Sequence, residues 1–311
     1  MADTRSSPRC SRLGSGWRPG HREAARRSRV AWDLLRAGHP GPSLTGTLVA
    51  SLLAWGSGYG LTCTLVVAVA VLSGQLSIAW CNDAHDAETD ASVGRQDKPA
   101  ATGQLPVDWV WTAAIAGLVM TVPASVLAAG WLGGAAHVMA VMLAWSYNLW
   151  LHRTAWSFLP FAAAFALLPA FVTLGADYSR WPAVWSLAAF ASLGVVAHLV
   201  NGLRDLDIDR KAGVGGIVTR LGAGPSRMLA LVGVLCAGVA TASATGTAPH
   251  PSAWVLPATG FAVFAAALWL APERARFRAL LLAAVIAVVA LVWATAVGAV
   301  SLSGPLVGAA G

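Results

Sequence analysis

Asn82-Asp83-Ala84-His85-Asp86-Ala87-Glu88-Thr89-Asp90 decides the reading of the fold, because it sets four acids and an Asn directly after the apolar run Leu61 to Trp80. A second stretch, Asn201-Gly202-Leu203-Arg204-Asp205-Leu206-Asp207-Ile208-Asp209, repeats its skeleton of Asn, three residues, Asp, three residues, Asp. It too follows an apolar run. The chain has 14 Asp and Glu, and seven of them fall in these two nine-residue windows. Charge that is scarce elsewhere and concentrated at the ends of two apolar segments is the functional signal.

The rest of the chain is that of an integral membrane protein. Hydrophobic residues make up 57% of its 311 positions and charged residues 11%, against about 25% charged in soluble domains. The net charge of +7 comes mostly from the N-terminal arm, so it does not describe a basic groove. No basic and aromatic residues interleave on a soluble face, which argues against a nucleic-acid partner. Cys10, Cys63, Cys81 and Cys236 have no metal-ligand spacing, and three of them lie in or against apolar runs as small buried hydrophobes.

Residues 1–35 are rich in Arg and Ser and have no apolar core of a secretory signal. They read as a disordered basic cytoplasmic arm held near anionic headgroups, with an organelle transit peptide as the alternative. Residues 36–311 form the membrane domain. It contains nine apolar segments near the 20 or so residues that span a bilayer: 43–58, 61–81, 109–128, 131–150, 157–175, 183–203, 228–246, 253–271 and 279–302. Pro123, Pro169 and Pro257 mark expected kinks. With the N-terminus inside, the inner segments hold twenty of the 21 Lys and Arg, and the outer loops hold only Arg180. That asymmetry is what the positive-inside rule requires of nine spans. Both acidic stretches then lie on the cytoplasmic side, four spans apart. The fold class is therefore all-α, a polytopic bundle, in what reads as a bacterial cell membrane.

On a helix, positions i, i+4 and i+8 share nearly one face. Asn82, Asp86 and Asp90 have that spacing, as do Asn201, Asp205 and Asp209, with Asp83 close to the first face. Like charges at i, i+4 repel, and charges beside a bilayer core are costly, so such a stripe calls for a cation. Carboxylates with an amide oxygen are hard donors suited to Mg²⁺, which completes its octahedron with water and substrate phosphate. The bland alternative is solvated loop acids that end two helices. A transporter is a further alternative, but transport sites gather near the midplane rather than at one face.

Asn82 to Asp90 resembles the NDxxDxxxD motif of the UbiA superfamily of intramembrane prenyltransferases, and Asp205 to Asp209 resembles its second DxxxD motif. Asp97-Lys98-Pro99-Ala100-Ala101-Thr102-Gly103 is similar to the family's RPlpsG loop, and Asp209-Arg210-Lys211-Ala212-Gly213 leading to Arg220-Leu221-Gly222 to its DrxxG…rLG tail. The resemblance implies nine transmembrane helices around a central cavity that opens to lipid and takes a polyprenyl diphosphate with Mg²⁺. It implies that Asn82, Asp86 and Asp90 hold one Mg²⁺ and Asp205 and Asp209 the other, with Asn201 and Asp83 in support. The four acids Asp86, Asp90, Asp205 and Asp209 are then catalytic.

One element departs from the family. Its YxxxK-type Lys has no counterpart in Tyr147-Asn148-Leu149-Trp150-Leu151-His152-Arg153, where Arg153 or His152 stands in. Arg95, Lys98, Tyr147, Arg153 and Lys211 are the candidate substrate-binding residues; Arg36 matches a family Arg, and His85 reads as a spacer. The resemblance implies prenyl transfer from an allylic diphosphate to an aromatic or other lipophilic acceptor. A terpene cyclase on the same scaffold is the alternative.

Overall fold

A computed structural model of the chain describes residues 19–176, 181–244 and 301–304, with scattered positions between 262 and 287. The described residues contain nine α-helices of defined bounds: α1 Pro19–Ala37, α2 Pro40–Gly56, α3 Leu61–His85, α4 Ala87–Ser92, α5 Val107–Leu149, α6 Leu159–Ala176, α7 Val184–Lys211, α8 Ile217–Leu221 and α9 Ala223–Ser243. The described residues otherwise contribute one 3₁₀ turn, Leu151–Arg153, and an isolated bridge between Pro182 and Ser303.

Four of these helices (α3, α5, α7 and α9) are long and apolar enough to cross a membrane. α5 is two limbs. Its backbone leaves helical geometry at Ala129 (φ −141°, ψ 22°) and Gly130 (φ 62°, ψ −173°), and a positive φ is easy only for glycine. Ser125 Oγ then lies 2.7 Å from His137 Nδ1. In a continuous helix those residues would stand about 18 Å apart, so the chain turns back on itself. The two limbs match the expected segments 109–128 and 131–150. The break falls at Gly130, while Pro123 and Pro169 sit inside α5 and α6.

Successive helices pack side by side, α2 on α3, α3 on α5, α5 on α6, α6 on α7 and α7 on α9. Their outward faces are apolar, with Leu65, Val69, Val119, Leu127, Val232 and Val239 all exposed. Exposed tryptophans form two belts. Trp55, Trp131 and Trp181 ring one end, and Trp32, Trp109, Trp150 and Trp156 the other, as rings anchored at two membrane–water interfaces would.

Between helices, large apolar side chains such as Leu53, Phe171 and Leu199 are joined by small and polar residues that bond across the contact, where lipid alone gives little drive for association. Ser77 Oγ donates to the Ala114 carbonyl at 2.9 Å, Trp145 Nε1 donates to Ser77 Oγ at 3.0 Å, and Asn148 Nδ2 donates to the Ile78 carbonyl at 2.9 Å. These three bonds tie the end of α3 to both limbs of α5. At the opposite end the Tyr59 hydroxyl donates to the Val172 carbonyl at 2.9 Å, and residues 301–304 lie against the start of α7.

Two expectations need correction or restriction. Residues 19–37 form a helix where an arm disordered to residue 35 was expected. Val30 and Leu34 pack on the cluster of Ala37, Ala84 and Leu105, and Trp80 Nε1 donates to the Leu34 carbonyl at 2.9 Å, which stabilises a stretch already rich in Ala and Arg. The eighth and ninth expected spans, 253–271 and 279–302, and Pro257 fall largely outside the described residues.

Gly194 of α7 abuts the Phe161 carbonyl and the Phe165 side chain of α6, with no room for a Cβ. Gly194→Ala is expected to cost about 1–3 kcal/mol of folded stability through this overpacking. A lower midpoint in size-exclusion thermostability assays would register it, whereas the open position Gly238 should tolerate alanine.

Candidate functional site

The two acidic stretches meet at one end of the bundle. α3 ends at His85; Asp86 caps it and leads into α4, and the ladder continues through the break, with Asp86 N donating to the Asn82 carbonyl at 2.9 Å and Asp90 N to the Asp86 carbonyl at 2.8 Å. Asn82, Asp86 and Asp90 therefore keep their common face. Asn82 Nδ2 donates to Asp86 Oδ2 at 2.8 Å. From the other side α7 carries Asn201, Asp205 and Asp209 in its last three turns.

The loop between α4 and α5 stands between the two sets. Lys98 is buried with its ammonium 2.8 Å from Asp90 Oδ2 and 3.2 Å from Asp83 Oδ1, and it donates to Asn82 Oδ1 at 3.1 Å. Arg95 reaches across: its Nη1 lies 3.8 Å from Asp205 Oδ1, while Nε and Nη2 each donate to Asp97 at 2.8 Å. Arg204 pairs with Asp205 as well, Nη2 to Oδ2 at 2.7 Å. Arg95 thus joins the first acidic stretch's own loop to the second stretch.

The charges respond to burial and to one another. Burial works against the Lys98 ammonium, but Asp83, Asp90 and Asp86 outweigh it and hold its pKa above the ordinary lysine value. Burial pushes the Asp86 carboxyl above the usual carboxylate range, with Lys98 and His152 working against the push and Asp90 adding to it. Asp97, held by the Arg95 fork, falls to about 2. Asp86 is thus under-compensated, and an added cation would relieve it.

Tyr147 closes the site from the end of α5. Its ring meets Phe161 at 4.9 Å, His198 at 5.6 Å and His152 at 6.0 Å between centroids. His152 faces inward, with Nδ1 3.0 Å from the Tyr147 carbonyl oxygen and its ring 6.0 Å from His85. Arg153 is exposed, and its Nε donates to His152 Nε2 at 3.1 Å. Ser157 Oγ lies 3.0 Å from His198 Nε2 and accepts from Ile217 N at 3.1 Å, which docks the α7–α8 connection onto the same corner. Gly213, at φ 70°, turns the chain after α7. Lys211 is exposed in the last turn of α7.

Residues 43–281 match the UbiA prenyltransferase family. The chain belongs to that family. No curated protein matches it. Among solved structures, the fold is similar to a UbiA homologue from Archaeoglobus fulgidus bound to GPP and Mg²⁺, at 16% identity and TM-score 0.67 over 84% of this chain and 99% of that one. It is also similar to the apo structure of a UbiA homologue from Aeropyrum pernix K1, at 18% identity and TM-score 0.62 over 84% of this chain and 97% of that one.

The oxygen donors of this UbiA-family chain fit Mg²⁺. The first set is an amide and carboxylates, the donors a hard cation takes. Asp83 Oδ2 is buried with no hydrogen-bond partner among the described residues, an oxygen with capacity to spare. Among those residues no three His, Cys, Asp or Glu side chains converge closely enough to hold a metal by themselves.

Two placements sharpen the reading from sequence. His152 is half-buried with its ring 6.0 Å from His85, whereas Arg153 is exposed. Asp83 is fully buried with Oδ1 shared between Lys98 and His39, whose Nε2 lies 3.2 Å away. His39 was not foreseen: it lies 44 residues from its partner, in the turn between α1 and α2, with no local pattern to mark it. Removing the buried carboxylate leaves Lys98 and His39 short of a partner. Asp83→Ala is therefore expected to cost about 3–5 kcal/mol of stability, seen as a lowered thermal midpoint in detergent. Alanine at the exposed Asp207 should leave the midpoint within the error of the wild type.

Proposed function

We propose that the chain is a Mg²⁺-dependent membrane prenyltransferase that moves a prenyl group from an allylic polyprenyl diphosphate to an aromatic or other lipophilic acceptor. The observation that carries this reading is the Arg95–Asp205 contact, which brings two acid sets from distant helices to one basic loop at the end of an apolar bundle. Family membership supports the reaction class. Relatives from Archaeoglobus fulgidus bound to GPP or DMAPP together with Mg²⁺ support the substrate class.

In this reading Asn82, Asp86 and Asp90 hold one Mg²⁺ and Asp205 and Asp209 the other, with Asn201 and Asp83 in support. Bound Mg²⁺ supplies Lewis-acid neutralisation of the charge that develops on the leaving diphosphate. The chain's own groups do the rest. Arg95 offers a fixed guanidinium fork to phosphate oxygens, and Lys98, His152, Arg153 and Lys211 add donors around it. The apolar bundle keeps water from the allylic cation. The rings of Tyr147 and Phe161 offer faces to that cation as the C–O bond breaks. The exposed tryptophans belong to the interfacial belts and are left out of the chemistry. The prenyl tail runs among the helices toward lipid, and the acids face the cytoplasm, where the excess of Lys and Arg lies. Nine helices around a lateral cavity are the frame in which this works.

Diphosphate release from purified protein with geranyl, farnesyl and geranylgeranyl diphosphates tests the reading. Release is expected to require Mg²⁺ and to fall about 100-fold or more in Asp86→Ala and in Asp205→Ala. Products made with an aromatic acceptor panel should be prenylated acceptors. Cyclised hydrocarbon formed without an acceptor would make the enzyme a cyclase on the same scaffold. Metal-independent release that both variants retain would end the two-site reading.

A further inference from the structure

The Lys98 ammonium occupies the point where the first acid set converges, within 3.2 Å of Asn82 Oδ1, Asp83 Oδ1 and Asp90 Oδ2. Two of those three residues, Asn82 and Asp90, are the ones the proposed function gives to Mg²⁺. A Mg²⁺ ion sits about 2.0–2.1 Å from its oxygens. An ammonium on the same oxygens would then lie within about 5 Å of the ion, where like charges repel strongly in a partly buried site. One set of oxygens does not serve both.

We propose that Lys98 is a built-in counter-cation: it holds the first acid set together when no metal is bound, and divalent binding displaces it from Asn82 and Asp90. The inference rests on the reading of that set as a Mg²⁺ site. The loop around Lys98 is built for a side chain that moves while its backbone stays. Pro99 is fully buried, Thr102 N donates to the Lys98 carbonyl at 3.2 Å, and Leu105 N donates to the Pro99 carbonyl at 3.1 Å. Above this fixed anchor runs a flexible four-carbon stem, whose rotation would withdraw the charge without moving the loop. The ammonium also solves a folding problem. Asp83 and Asp90 are buried, and without a cation between them they would repel at the end of α3. Lys98 supplies that cation from within the chain, so the acid set can form before metal arrives.

The test is divalent binding without any prenyl substrate. Mn²⁺, standing in for Mg²⁺, is titrated into the purified full chain in detergent and followed by the EPR signal of the free ion. Wild type, Lys98→Met and Lys98→Arg are compared, each also with Asp86→Asn. Lys98→Met is expected to bind Mn²⁺ about tenfold more tightly than wild type, because a competing positive charge is gone. Lys98→Arg keeps the charge but its planar fork meets the three oxygens less well, so its affinity should fall between those of wild type and Lys98→Met, and Asp86→Asn should abolish the tight site. Metal-free Lys98→Met should melt below wild type and recover more than wild type when Mg²⁺ is added. If the variant survives purification only with Mg²⁺, unfolding on chelation is the expected sign; unfolding with and without Mg²⁺ would mean that no divalent ion replaces the lysine, and would overturn the proposal. Equal Mn²⁺ affinity in wild type and Lys98→Met overturns displacement and leaves the Mg²⁺ site standing. Absence of any Mn²⁺ binding that Asp86→Asn removes would instead defeat the Mg²⁺ reading itself, and the inference with it.

Discussion

Carboxylates at the end of an apolar helix need positive charge close by, and the acidic end of this protein is arranged around that need. Asp83, Asp86 and Asp90 crowd the junction of α3 and α4, where water is restricted and like charges repel. The α4–α5 loop answers with Lys98 inside the cluster and Arg95 reaching out to Asp205. Cations therefore determine how the ends of α3, α4 and α7 are held together. The ordinary apolar packing of the helices could not do this, because lipid satisfies apolar faces as well as a neighbouring helix does.

That arrangement would be loose if the helix ends were free to slide. Polar contacts deeper in the bundle limit the slide. Ser77 and Ile78, one turn before the acids, are bonded to Trp145 and Asn148, which flank Tyr147 on α5. Ser73 and Thr121 hydroxyls meet at 3.1 Å one turn further in. Each bond forms where an unpaired polar group would be costly, so each resists a change of register. The height of Asn82 relative to Tyr147 is set by backbone and side-chain hydrogen bonds rather than by the acids themselves. On the α6–α7 side the close approach at Gly194 has the same effect.

Much of this was legible in the sequence, for physical reasons that can be named. Helical spacing of oxygen donors at Asn82, Asp86 and Asp90 marks a common face whatever the neighbours are. The limbs of α5 were legible because Gly130 falls between two apolar runs of spanning length. Helix α1 was not, because its helicity depends on Val30 and Leu34 meeting α3 and the α4–α5 loop, which local pattern does not show. The His39–Asp83 pair was invisible for the same reason: neither residue lies in a pattern that points to the other. The sequence marked Lys98 as a cation beside the motif. That its ammonium turns into the acid set, instead of out toward solvent, is a property of the folded loop.

The identity of that cation follows from the shape of its site. Three oxygens of three different residues, Asn82, Asp83 and Asp90, lie 2.8–3.2 Å from the nitrogen. An ammonium has three donors that rotate freely about one bond, so it can meet them all. A guanidinium is planar and presents its donors as a fork, which suits two parallel oxygens of one group, as Arg95 does with Asp97. The two basic residues of the loop are therefore not interchangeable. The point charge lies where carboxylates converge, and the fork lies where it can span between groups. A compact charge inside the first set and a rigid one between the sets is a division of labour that the proposed metal and diphosphate site would call for.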